Sequence, residues 1–187
     1  MTWKNDQVSE KETAKILKLA RECLEIEGDY VEMGCYKGDT SLLLAGIIFS
    51  GPRRSRLYIY DSFEGLPEKT ESDESALGVD FKKGELVITK REVKQRFLKA
   101  GLPVPVIKKA WFSDLKPEDL PEKIAFAFLD GDFYESIKCS LKLVVTKMVK
   151  GGVLIVHDYT NPALPGVRKA VDEWISGKEL GFRVVLL

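Results

Sequence analysis

The chain has a single histidine and only three cysteines. Cys23, Cys35 and Cys139 are far apart and odd in number, which argues against a disulfide framework, and no C-x-x-C pair offers a zinc site. Neither sign of charge dominates: 29 Lys and Arg face 29 Asp and Glu. No global field therefore gathers nucleic acid or an anionic membrane. No apolar run approaches the ~20 residues of a spanning helix. The polar opening, MTWKNDQVSEKE, lacks the apolar core of a signal peptide, so the expected location is the cytoplasm. At 187 residues, 44% hydrophobic and 31% charged, the composition is that of one globular domain with a real core.

What is present is a regular alternation of strands and helices. Ser9 and Glu12 form a capping box ahead of Ile16, Leu17, Ala20, Cys23 and Leu24 at helical spacing, so residues 1–27 contribute one N-terminal helix. The stretch GDYVEMGCYKG, residues 28–38, reads as a buried strand, an acid at its end (Glu32) and a glycine turn (Gly34, Gly38). A helix is expected over residues 40–49, and a second strand, 56–60, ends on Asp61. Residues 64–89 carry many charges and little periodicity, a long connection that reads either as a lid, partly mobile before a ligand binds, or as a plain surface loop. A helix over 90–100, a short strand at 106–109, a turn with Trp111, Phe112 and Asp114, and the apolar strand IAFAFL at 124–129 follow. A helical face from Ile137 to Met148 closes at Gly151-Gly152, before a strand at 153–156, a helix at 167–175 and a last strand at 183–186. The fold class is α/β: a doubly wound, Rossmann-like, mostly parallel sheet in three layers forming a single domain.

In such sheets ligands bind beyond the carboxyl ends of the strands. Four of those ends carry acids or ligands: Glu32 with Gly34, Asp61 with Ser62, Asp130 with Asp132, and His157 with Asp158. A nicotinamide fingerprint needs G-x-G-x-x-G, and here the middle glycine is missing between Gly34 and Gly38. A phosphate loop of the form G-x-x-x-x-G-K-[ST] is also absent. A nucleoside without phosphates suits the turn better. S-adenosylmethionine is the common one, and its cationic sulfonium is favoured by an acidic rim.

The blocks VEMGCYKGDTSLLL, YDSFEGLP, EVKQRF, WFSDL, LDGDFYES and GGVLIVHDY with PGVRKAVDEW, in that order from Gly28 to Trp174, resemble the macrocin O-methyltransferase-like family. Those are class I S-adenosylmethionine-dependent methyltransferases acting on sugar hydroxyls. The resemblance implies an O-methyltransferase whose acceptor is a small-molecule hydroxyl, and the even charge balance argues against a nucleic-acid or membrane partner. It implies that Glu32, Gly34 and Gly38 meet the methionine part and ribose of the donor, that Asp61 is the ribose acid, and that Ser62 and Phe63 line the adenine side. Trp111, Phe112 and Ser113 match a turn flanking adenine. Asp130 resembles an acid that binds a divalent cation, with Asp158 as its partner, so Asp130 is assigned to catalysis, to the cofactor pocket's edge and to metal. Mg²⁺ is the first expectation.

The family pattern after the fifth strand is Asp-Asp-Tyr, whereas this chain reads His157-Asp158-Tyr159. His157 is open to three readings: a ligand favouring a softer metal, a general base, or a histidine satisfied by hydrogen bonds. Asp132 is open to substrate contact or helix capping, and Arg168 to an anionic group or a nearby acid. A seventh, antiparallel strand of the class is not evident before Leu187, so an open sheet edge and a homodimer are further expectations. Two other readings compete: a non-catalytic S-adenosylmethionine or nucleoside-binding protein, and a nicotinamide-dependent oxidoreductase.

Overall fold

The computed structural model describes residues 7–78 and 81–187. Helix α1 (Glu10–Glu22) starts where Ser9 and Glu12 cap each other reciprocally. Strand β1 (Asp29–Met33) leads through the glycine turn into α2 (Asp39–Ser50), and β2 (Leu57–Asp61) follows. A second reciprocal box, Thr89 with Glu92, opens α3 (Lys90–Ala100), which stops at left-handed Gly101. Then come β3 (Val106–Lys109), β4 (Ile124–Leu129), α4 (Tyr134–Val144), β5 (Met148–Val156), α5 (Pro165–Ile175) and β6 (Arg183–Leu186).

The six strands form one sheet in the order β3-β2-β1-β4-β5-β6, and every neighbouring pair is parallel. Side chains alternate across it. Tyr30, Ile59, Phe126, Phe128, Val153 and Ile155 face Ile16, Leu44, Ile48 and Phe97 of the first three helices. Val31, Met33, Tyr60, Ala127, Leu129 and Leu154 face Ile137, Leu141, Val167 and Val171 of α4 and α5. These are the three layers expected, with helices on both faces of a parallel sheet.

Two boundaries differ from the sequence reading. The helical face does not run to Met148: a 3₁₀ turn at Val145–Lys147 ends it and β5 begins at Met148, passing through Gly151 and Gly152. A Cβ at Gly152 would press on the carbonyls of Ala125 and Val149, so the pair serves close strand packing rather than a helix stop. At the other end, β6 pairs directly with β5, from Val153–Arg183 to Val156–Leu186. Among the described residues no seventh strand lies in the sheet, and β6 forms its edge.

Candidate active site

The strand order reverses between β1 and β4, and a solvent-open cleft lies at the carboxyl ends there. Backbone hydrogen bonds continue past the strands and hold the tip residues in a row: Gly34 N–H donates to Tyr60 (2.9 Å), Asp130 N–H to Met33 (2.8 Å) and His157 N–H to Leu129 (2.9 Å). Gly34 is left-handed (φ 89°), and a Cβ there would collide with the Asp130 carbonyl. Only glycine permits that approach.

The turn after Gly34 is held by Asp61. Its Oδ2 accepts from the backbone N–H of Cys35 (2.9 Å) and Tyr36 (3.3 Å), and its Oδ1 from Phe63 N–H (2.7 Å). The residue read as a ribose acid is thus first a clamp between two strand tips. An ionised carboxylate has about four acceptor sites, so capacity for one further donor from the cleft remains. Glu32 lies beneath the turn, 1% exposed, and accepts the Ser41 hydroxyl of α2. Burial pushes its carboxyl well above the usual range; the Ser41 bond opposes this, and Asp130, Asp61 and Asp39 add to it.

Ser62 lines the cleft, with its hydroxyl donating to the Gly65 carbonyl (3.2 Å) and accepting from Glu64 N–H (3.1 Å). Trp111 and Phe112 line it as expected. Three expected residues do not: Gly38 is the left-handed N-cap of α2, Phe63 is buried in the core, and Ser113 is exposed in the 3₁₀ turn Phe112–Asp114.

Asp130, His157 and Asp158 converge, each offering one ligand atom within 4.8 Å of the others. His157 Nδ1 is 3.0 Å from Asp130 Oδ1 and 2.9 Å from Asp158 Oδ2, and its side chain is only 7% exposed. Burial pulls the imidazole pKa down, but the two carboxylates together outweigh it and raise it to about 11. For Asp158, burial works upward, yet His157 and the Asn161 amide (2.8 Å) hold the carboxyl below its ordinary value. Asp132 lines the cleft from a left-handed backbone (φ 59°). It does not cap α4: the N-cap is Phe133, and the first helical N–H, of Tyr134, donates to Asp73 at 2.7 Å. Burial raises the Asp132 carboxyl well above its usual value, and Asp130 and Asp158 add to this. Arg168 pairs with Asp172 at 3.7 Å and lies over Tyr159.

The sequence reading missed two contributors. One is the start of α1 with the residues before it: Gln7 and Val8 line the cleft, and Glu12 Oε2 lies 3.9 Å from His157 Nε2. The S-x-x-E signal was visible, but only as a cap. The other is Asp73, buried in a 3₁₀ turn (Glu71–Asp73) of the long connection. Besides Tyr134 N–H it accepts from Thr70, while Ser75 donates to the Pro162 carbonyl and Lys169 to Ser72. Leu66 and Leu86 from the ends of this connection also line the cleft. The connection, read as a lid or a surface loop, is held against α4 and the start of α5 through residues 70–75, and Val79 and Asp80 lie outside the described residues.

The architecture is that of the class I methyltransferases. The structure of the O-methyltransferase NovP matches with a TM-score of 0.72 and 30% identity, over 84% of this chain and 69% of that one. More narrowly, the profile of the family described as Macrocin-O-methyltransferase (TylF) matches residues 12–183, and the chain belongs to that family. Demethyldecarbamoylnovobiocin O-methyltransferase of Streptomyces niveus is 30% identical over 172 residues, 86% of this chain and 65% of its own. The 8-demethyl-8-(2,3-dimethoxy-alpha-L-rhamnosyl)-tetracenomycin-C 4'-O-methyltransferase of Streptomyces olivaceus is 30% identical over 156 residues, 80% and 58% respectively. The chain spans less than two thirds of the length of these two relatives.

Proposed function

We propose that the cleft binds S-adenosylmethionine and transfers its methyl group to a hydroxyl of a small molecule, a sugar or related natural product. The observation that carries this is the convergence of Glu32, Asp61, Asp130 and Asp158 on one cleft at the switch point of a family member's sheet. Such a rim disfavours a pyrophosphate and favours a cationic donor. Asp61 has acceptor capacity for a ribose hydroxyl, and Trp111 and Phe112 offer an aromatic wall for adenine.

In the reaction the acceptor oxygen attacks the methyl carbon, the C–O bond forms, and the C–S bond breaks with its electron pair going to sulfur. The hydroxyl proton passes to the carboxylates at the strand tips, and Asp130 is the one assigned to catalysis. The clamped turn and the docked connection hold the partners in place, and such positioning is worth ~7–11 kcal/mol when reacting atoms are held ~3–3.5 Å apart. The donor set fits a divalent cation, with Asp130, His157 and Asp158 as its holders. A cation bound there would lower the pKa of the acceptor hydroxyl. In the protein alone, His157 Nδ1 lies 3.0 and 2.9 Å from the two carboxylates, which favours the imidazolium over a free base.

Calorimetric titration of S-adenosylhomocysteine and of NAD tests the reading. Binding of the first and not the second is expected, followed by methyl transfer to a panel of hydroxylated sugars. Heat from NAD alone would make the cleft a nicotinamide site. S-adenosylhomocysteine binding with no turnover on any acceptor would leave a binding protein.

A further inference from the structure

His157 turns its two ring nitrogens to different neighbours. Nδ1 faces Asp130 and Asp158 in the cleft, at 3.0 and 2.9 Å. Nε2 faces away, 3.9 Å from Glu12 Oε2, within ion-pair range. That carboxylate oxygen is itself held, because it accepts the backbone N–H of Ser9 at 3.1 Å and the Ser9 hydroxyl at 2.5 Å in the cap of α1. The cap of the first helix thus sets an anion behind the imidazole. At 3.9 Å the Glu12 carboxylate is beyond hydrogen-bond reach and acts on the ring through its charge, favouring a proton on the nitrogen that faces it and leaving Nδ1 to a metal.

We propose that Glu12 is the positioning residue of a metal centre in which His157 binds through Nδ1 beside Asp130 and Asp158, and that this centre prefers a borderline transition metal (Mn²⁺, Fe²⁺, Co²⁺ or Zn²⁺) over Mg²⁺. The proposal rests on the metal-assisted reading above and deepens it by naming the class of ion and a residue from another part of the chain. One nitrogen and two oxygen donors suit those ions, whereas Mg²⁺ takes oxygen ligands and keeps its waters. The ring has little freedom to turn a different atom inward. It is nearly buried, with the Phe128 ring tilted against it at 5.9 Å and charged groups on both of its nitrogens.

His157 is the chain's only histidine, so ¹⁵N NMR reports one imidazole without assignment. On titration with Zn²⁺, the Nδ1 resonance should move to the metal-bound range while Nε2 keeps its proton. Calorimetry should give tighter binding of Co²⁺ or Mn²⁺ than of Mg²⁺ by at least about tenfold. Glu12→Gln keeps the capping box, since Gln also serves at that position. It should weaken Co²⁺ binding by about two- to fivefold, the scale of a part-exposed charge contact at this distance. His157→Asp should narrow the Co²⁺-to-Mg²⁺ ratio towards parity. Equal affinities for Mg²⁺ and Co²⁺ in the unaltered protein, an Nδ1 signal indifferent to Zn²⁺, or metallation at Nε2 would each overturn the proposal. S-adenosylhomocysteine titrated in EDTA keeps the two readings apart: heat there with no metal preference sinks this proposal alone, and no heat sinks the methyl-transfer reading.

Discussion

Replacing Asp61 by Ala removes the acceptor of three backbone N–H groups, those of Cys35, Tyr36 and Phe63. Hydrogen bonds to a charged group contribute ~1.5–3 kcal/mol each. The two short ones, 2.9 and 2.7 Å, set the magnitude, and the 3.3 Å bond adds little. Water from the open cleft can reach part of the turn, so the lower end of the range applies and the loss is about 3 kcal/mol. For a chain of this size that is a fall in Tm of about 6–12 °C. Asp61→Asn keeps one oxygen but turns its NH₂ against a backbone donor, and should lose roughly half as much. Urea denaturation and thermal melts of the ligand-free variants measure this directly, with S-adenosylhomocysteine affinity measured in parallel. If Asp61→Ala melts with the unaltered protein and only its ligand affinity drops, the clamp has no energetic weight and the reasoning fails.

Glu32 predicts a pH effect. Its folded pKa is raised by burial above the unfolded value near 4.5, so the folded state binds the proton more tightly and stability falls as pH rises above that value. Glu32→Gln, which keeps an acceptor for Ser41, should therefore be more stable than the ligand-free parent at neutral pH and equal to it near pH 4; superimposable stability-versus-pH curves would contradict this. Asp73→Ala should cost about 1–3 kcal/mol, by removing the charged acceptor of Thr70 and Tyr134, and should expose the connection to protease. An unchanged digestion pattern would show that the connection is docked by other contacts. Asp130→Ala and chelation with EDTA should each abolish turnover while S-adenosylhomocysteine affinity stays within a few-fold. Full activity after thorough chelation would remove the cation from the mechanism.

Elements whose signal is local were legible in the residues. The apolar run Ile124–Leu129, the cap of Ser9 with Glu12, and the acids at the ends of β1, β2, β4 and β5 all read correctly, because burial period and cap chemistry are written within a few residues. Gly151 and Gly152 misled, because a glycine pair ending a helix and one easing strand contact look alike until the neighbouring backbone is known.

The chain by itself determined that strands and helices alternate and that carboxylates sit at the strand tips, since both follow from periodicities of two and 3.6 residues. Only the tertiary structure decided which tips meet. Strand order brings Asp130 beside Gly34, folds Asp61 back onto the turn's amides, and sets Glu12 behind His157 and Asp73 at the start of α4. Those pairs are far apart in the chain. Their attraction depends on burial and distance, and neither leaves a mark on the residues in between.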